Sequence, residues 1–178
     1  HATVYSFEKI MDAIKNNKVE GKDAFGVPIL NFSDVMEKQV EIGLGPLHTQ
    51  FDNAGNAYTS VFVESTLAKW KLGPPDYDGP DAWTVVEKMP VQYNIGHVVC
   101  AEGDTVAPDG KYCVALNKWS IDRFLPVGPL HPQNFQLIDI SGDQMVIVHD
   151  GPSFAEPHDA TIVHRSKINP LHVWKRDD

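Results

Sequence analysis

Four histidines carry the first hint of chemistry. His48, His97, His131 and His158 each follow a glycine or proline within two residues, so each sits where the backbone has few conformations open to it. A loop restrained in this way holds an imidazole in place before a metal arrives. Taken singly, each is more often a hydrogen-bonded structural histidine than a ligand. Spacing shifts the balance, because His48, His97 and His158 are separated by 49 and then 61 residues. Ligands on one helix would recur every three or four residues, and zinc fingers use short pairs. Only a fold that returns successive repeats to a common point gathers residues so far apart, and the axis of a β-propeller is such a point. Neutral imidazole suits zinc, copper, iron or nickel, and a set without neighbouring carboxylates or thiolates leans towards copper or zinc. His149, His164 and His172 lie in or beside strands with no restrained loop and read as structural.

The elements that must position these residues are short and β-rich. Gln136 to Ile140 and Gln144 to His149 read as strands joined by the turn Ser141-Gly142-Asp143. Ala57 to Val63 is β-branched and aromatic, Thr66 to Lys71 returns beside it, and Tyr112 to Leu116 is a further strand. An Asp/Gly turn followed by an apolar strand occurs at Gly55, at Gly110 and, less cleanly, at Gly142. Gly-Pro-Leu-His occurs twice, with 83 residues between His48 and His131, which suits two propeller blades of roughly 40 to 50 residues each. Val91 to His97 reads as a strand that delivers its histidine at the end. Phe7 to Asn17 places Ile10, Met11 and Ile14 at helical spacing, a short rim helix. Gly73 to Pro80 is a polar excursion. The fold class is therefore all-β, a partial propeller with short rim helices.

Bulk properties narrow the function classes. The chain has 178 residues, 42% of them hydrophobic, and a net charge of -9, which disfavours nucleic acid as a partner. No apolar run reaches the about 18 residues of a membrane span. Cys100 and Cys113 are too few to staple a fold and are not spaced as a zinc site. They read most simply as buried thiols, with a bridge between neighbouring strands as the alternative. The chain opens in what reads as a strand and stops at Trp174-Lys-Arg-Asp-Asp178 without a cap, so the expectation is residues 1–178 as an internal piece of a larger protein.

Several long strings are specific. Gly-Leu-Gly-Pro-Leu-His48-Thr-Gln-Phe-Asp, Asn-Ala-Gly-Asn-Ala-Tyr-Thr, Asn-Lys118-Trp-Ser-Ile-Asp-Arg-Phe-Leu-Pro-Val-Gly-Pro-Leu-His131-Pro, Leu-Ile-Asp-Ile-Ser-Gly-Asp and Phe-Ala-Glu156-Pro-His158-Asp occur in that order. From about Glu41 to Ile168 the chain resembles the nitrous-oxide reductases. The resemblance implies a seven-bladed propeller carrying a four-copper sulfide cluster on its axis, of which this chain would supply about three blades of the N-terminal domain. A cupredoxin-like domain with a dinuclear copper centre would lie outside it.

By the same resemblance His48, His97 and His158 are three of seven cluster histidines, and His131 shapes its loop without being a ligand. Lys118 and Glu156 correspond to a cation and an acid at the open edge of the cluster, although by itself Lys118 reads as a solvated lysine at a strand end. A calcium site is implied at the Lys118 loop and at Gln133, where the family usually carries an acidic residue. An amide keeps the oxygen but not the charge. The implied partners are nitrous oxide, an electron donor such as a cytochrome c or a cupredoxin, and a second copy of the full-length protein in a periplasmic homodimer. With a partial cluster site and no electron entry, the chain alone is not expected to turn over. Two rivals follow from the residues alone: a non-catalytic propeller binding module with structural histidines, and a zinc hydrolase on a propeller.

Overall fold

The computed structural model describes residues 1–118, 133–154 and 156–169. Two compact units divide the chain, His1–Gly43 and Leu44–Asp178.

In the first unit, β1 (Ala2–Tyr5) pairs antiparallel with β4 (Met36–Val40), and β2 (Val19–Lys22) with β3 (Pro28–Leu30). Between β1 and β2 runs α1 (Phe7–Lys15), and α2 (Phe32–Val35) precedes β4. The helix starts where Ser6 turns its hydroxyl on the Lys9 N–H, satisfying one of the orphan donors of the first turn. Its apolar positions differ in burial from the helical-face expectation. Ala13 is buried and Ile10 half-buried, while Met11 and Ile14 stay exposed.

The second unit is built of two four-stranded antiparallel sheets, each a meander in which consecutive strands are neighbours. The first has the order β5 (Pro46–Phe51), β6 (Asn56–Val61), β7 (Thr66–Lys71), β8 (Val85–Pro90). The second has the order β9 (Ile95–Cys100), β10 (Tyr112–Asn117), β11 (Asn134–Asp139), β12 (Val146–Pro152). This is the construction of propeller blades. Two such sheets are complete among the described residues, and the first unit holds two two-stranded sheets.

Burial explains the strand pattern. Every residue of β6 is buried, because β5 and β7 flank it and both of its faces are covered. Tyr58 and Leu67 of the first sheet join Ile95, Val98, Ala115, Ile138, Ile140 and Met145 in one apolar cluster. Polar residues of β6 must then find partners. The Trp70 Nε1–H donates to Thr59 Oγ1 at 2.9 Å, and the Tyr58 hydroxyl donates to Asp52 Oδ2 at 2.9 Å. Asp52 also accepts from the N–H groups of Ala54 and Asn56 and from Asn56 Nδ2, which shapes the turn that the Asp/Gly signal marked. Gly55 and Gly110 both have φ of 73°, the left-handed region that favours glycine. Gly142 does not share it. The β11–β12 connection extends over residues 140–145, with Ile140 and Met145 turned into the core, so the third turn signal marked a longer loop.

Cys100 and Cys113 are opposite one another in the β9–β10 register and form a disulfide. The simpler reading of two buried thiols is corrected by that register, since direct cross-strand neighbours bring their side chains to the same face. Strand boundaries correct a second expectation: β9 begins at Ile95, so His97 lies inside the strand rather than at its end.

Candidate metal centre

His48 is the third residue of β5 and His97 the third residue of β9, the first strand of each sheet. Both lie in the same irregularity. Pro46 pairs with Val61 and Thr49 with Thr59, so three steps on β5 face two on β6. Ile95 pairs with Asn117 and Val98 with Ala115, the same three steps against two. One extra residue in a strand is a β-bulge, which bends the strand and re-aims the side chain it carries. The two bulges bring the rings of His48 and His97 face to face, 3.7 Å between centroids with planes 26° apart. The ring of His158 comes to 5.2 Å from that of His97.

The surroundings of His48 and His97 favour the neutral imidazole, the form that binds metals. Burial, followed by the Lys118 ammonium and His158, pushes His48 below its ordinary value. For His97 burial again leads, followed by His48, Lys118 and His158, against an upward pull from Asp159. Two observations concern which nitrogen is available. His97 Nδ1 is buried without a hydrogen-bond partner among the described residues. His158 Nδ1 lies 3.1 Å from the carbonyl oxygen of Glu156, and because a carbonyl only accepts, the neutral tautomer that makes this bond has its proton on Nδ1 and its lone pair on Nε2. The stacked arrangement is not that of donors around one point, and among the described residues no three His, Cys, Asp or Glu side chains are set to hold a single metal ion. Residue type, proximity and the orphaned nitrogen of His97 fit a copper centre to which each ring would give one nitrogen.

Lys118 is 9% exposed, a correction to its reading as a solvated strand end. Its aliphatic stem crosses Gly96: a Cβ built there would come 2.8 Å from Lys118 Nζ and closer still to Cε. Glycine at 96 thus makes the room that sets the ammonium beside His97. Burial lowers the Lys118 pKa, and Glu156 opposes that shift. Glu156 itself is exposed and has a φ of 47°, a conformation uncommon outside glycine. It lies two residues before His158.

Asn117 and Asn134 are the last pair of the β10–β11 ladder, which leaves Lys118 and Gln133 on either side of the segment 119–132. A buried amide network ties this end down. Asn117 Nδ2 donates to Asn134 Oδ1 at 3.0 Å and to Gln136 Oε1 at 3.2 Å, and the Asn134 and Gln136 amides donate to Asp150. The Gln133 carbonyl accepts from the Ser153 N–H at 2.8 Å. His131 lies outside the described residues, as does His172. His149 tilts against Phe135, 5.6 Å between centroids, and His164 caps the 3-10 turn Arg165–Lys167.

Known proteins resemble this chain over the stretches that carry these residues. Residues 88–158, which hold His97, Lys118, Glu156 and His158, match the family described as the nitrous oxide reductase propeller repeat. The nitrous-oxide reductase of Stutzerimonas stutzeri is 48% identical over 158 residues, 88% of this chain and 25% of that protein. That of Cupriavidus necator is 49% identical over 148 residues, 82% of this chain and 23% of that protein. The chain belongs to the nitrous-oxide reductase family. It spans about a quarter of the length of the curated nitrous-oxide reductases it matches.

Sequence reasoning passed over two residues of this site. Gly96 was visible only as a glycine before a histidine, and nothing local says that a lysine 22 positions later lies across it. Ser60 donates to the Gly96 carbonyl at 2.6 Å and accepts from the His48 N–H at 3.1 Å. Its one signal was a small hydroxyl inside a β-branched run, a group that needs a partner once buried.

Proposed function

We propose that this chain forms part of the propeller of a copper-dependent nitrous-oxide reductase, with His48, His97 and His158 giving imidazole nitrogens to a four-copper sulfide cluster. The convergence of these three rings, from positions separated by 49 and 61 residues, is the observation that supports it. Reducing nitrous oxide to dinitrogen and water takes two electrons and two protons. The reduced cluster would supply the electrons and a site for a neutral, weakly basic gas.

The chain's own residues have separate tasks. Lys118, partly desolvated beside His48 and His97, would stabilise negative charge developing on the substrate oxygen. Glu156, at the surface two residues before His158 and close enough to raise the Lys118 pKa, would pass protons inward. The lowered pKa values of His48 and His97 favour the neutral imidazole that ligation requires. Calcium at Lys118 and Gln133 belongs to the same proposal, and the six to eight oxygens it prefers would come in part from outside the described residues.

A dinuclear copper centre in a cupredoxin-like domain would deliver electrons from a cytochrome c or a cupredoxin, in a homodimer of the full-length protein. The Cys100–Cys113 disulfide supports a periplasmic location, since disulfides persist in oxidising compartments. No described helix is long and apolar enough to cross a membrane.

The test is metal analysis and visible spectroscopy of the full-length protein, with nitrous oxide consumption measured under a reduced artificial donor. Stoichiometric copper, intense visible absorption and turnover are expected. A colourless zinc protein, or one without bound metal, would sink the proposal.

A further inference from the structure

A β-bulge leaves backbone groups outside the ladder, and buried ones must be satisfied some other way. In β5 one such group is the N–H of His48, which donates to Ser60 Oγ at 3.1 Å. In β9 it is the carbonyl of Gly96, the residue before His97, which accepts the Ser60 hydroxyl proton at 2.6 Å. The His48 carbonyl lies farther from the same oxygen, at 3.5 Å. Ser60 is fully buried and sits opposite the β5 bulge, between the paired residues Thr59 and Val61. The equivalent position in the second sheet, between Ala115 and Asn117, is Leu116, whose side chain has no polar atom. A single hydroxyl therefore bonds the backbone of both bulges, one from each sheet.

We infer that Ser60 is a positioning residue of the metal centre: its hydroxyl locks the bulge bearing His48 to the bulge bearing His97 and so sets the separation of the two imidazoles. This rests on the copper reading above. Alanine at 60 would take the partner from the part-buried His48 N–H and from the buried Gly96 carbonyl, and the sheets would separate locally until water or a shifted strand satisfied them. The two rings would move apart with the backbones that carry them, because neither side chain is long enough to compensate.

The test uses the full-length protein carrying Ser60→Ala, Ser60→Thr or Tyr58→Phe. Tyr58 removes a buried hydroxyl from the same strand, but one bonded to Asp52 and to neither bulge. The readouts are amide hydrogen exchange at His48, copper per folded protein and the visible absorption band. Ser60→Ala is expected to expose the His48 amide to exchange, lower bound copper several-fold and shift the band. Ser60→Thr restores all three, and Tyr58→Phe keeps wild-type copper. Wild-type copper and an unshifted band in Ser60→Ala would overturn the inference, as would an equal loss of copper in Tyr58→Phe, since that would reflect stability alone. If Ser60→Ala yields no folded protein, Ser60→Cys, with its weaker donor, is scored by the same criteria. A wild-type protein without copper would instead overturn the copper reading itself.

Discussion

The rings of His48 and His97 stack with 3.7 Å between their centroids, although the two residues belong to different sheets and are 49 positions apart. The contact comes from one structural device used twice, a bulge near the start of the first strand of each sheet. Repeating a blade repeats its irregularities, and here the irregularity is what turns two strand residues towards one point.

Removing a ring should therefore cost metal before it costs fold. His48 is exposed and His97 only half-buried, so His97→Ala leaves no large cavity. Copper affinity is expected to fall about tenfold or more, since even partners behind the ligands are worth that much. Elemental analysis beside circular dichroism checks this, and a loss of fold in step with copper would contradict it.

Gly96 and Lys118 should behave as a coupled pair. Gly96→Ala puts a methyl where the lysine stem lies and is expected to destabilise by about 1–3 kcal/mol, as overpacking does. In a Lys118→Ala background the same change should cost distinctly less. Chemical denaturation of the four proteins of this double-mutant cycle measures the coupling, and strict additivity would show that the stem does not fill that space.

The disulfide closes a loop with a sequence separation of 13. Replacing both cysteines by serine is expected to lower stability by about 2–4 kcal/mol, the usual range for a loop of that size. Peptide mapping without reductant should recover the segments around Cys100 and Cys113 as one linked species. Finding two free thiols would contradict the bond.

Glu64 supplies a pH dependence with a definite sign. Its carboxylate accepts from Lys88 Nζ at 2.8 Å and from the Leu44 N–H at 2.7 Å, and these bonds hold its pKa below the usual glutamate value. A depressed carboxylate pKa means that the unfolded chain takes up the proton first as pH falls. The contribution is therefore complete above the unfolded value of about 4.3 and is lost as pH drops through the lower folded one. Glu64→Gln should flatten the stability profile below that point while leaving its shape near neutrality unchanged. Unfolding midpoints across acidic pH test it.

How much of this was legible beforehand depends on how local the physics is. Turn chemistry is local, so Gly55 and Gly110 were readable as turns and prove to have the left-handed φ that such turns need. Strand character is local too, and β7 occupies the residues 66–71 that its composition suggested. The histidines stood out because glycine or proline precedes each of them. Register is not local. Side chains alternate faces along a strand, so one inserted residue reverses which face each of them takes, and no single segment records where its partner strand has one residue fewer. For that reason the bulges at His48 and His97, the pairing of Cys100 with Cys113, the room that Gly96 leaves for Lys118 and the two-sided hydroxyl of Ser60 belong to the tertiary structure alone. Which residues were capable of chemistry was written in their types and spacing; where they meet was decided by how the strands pair.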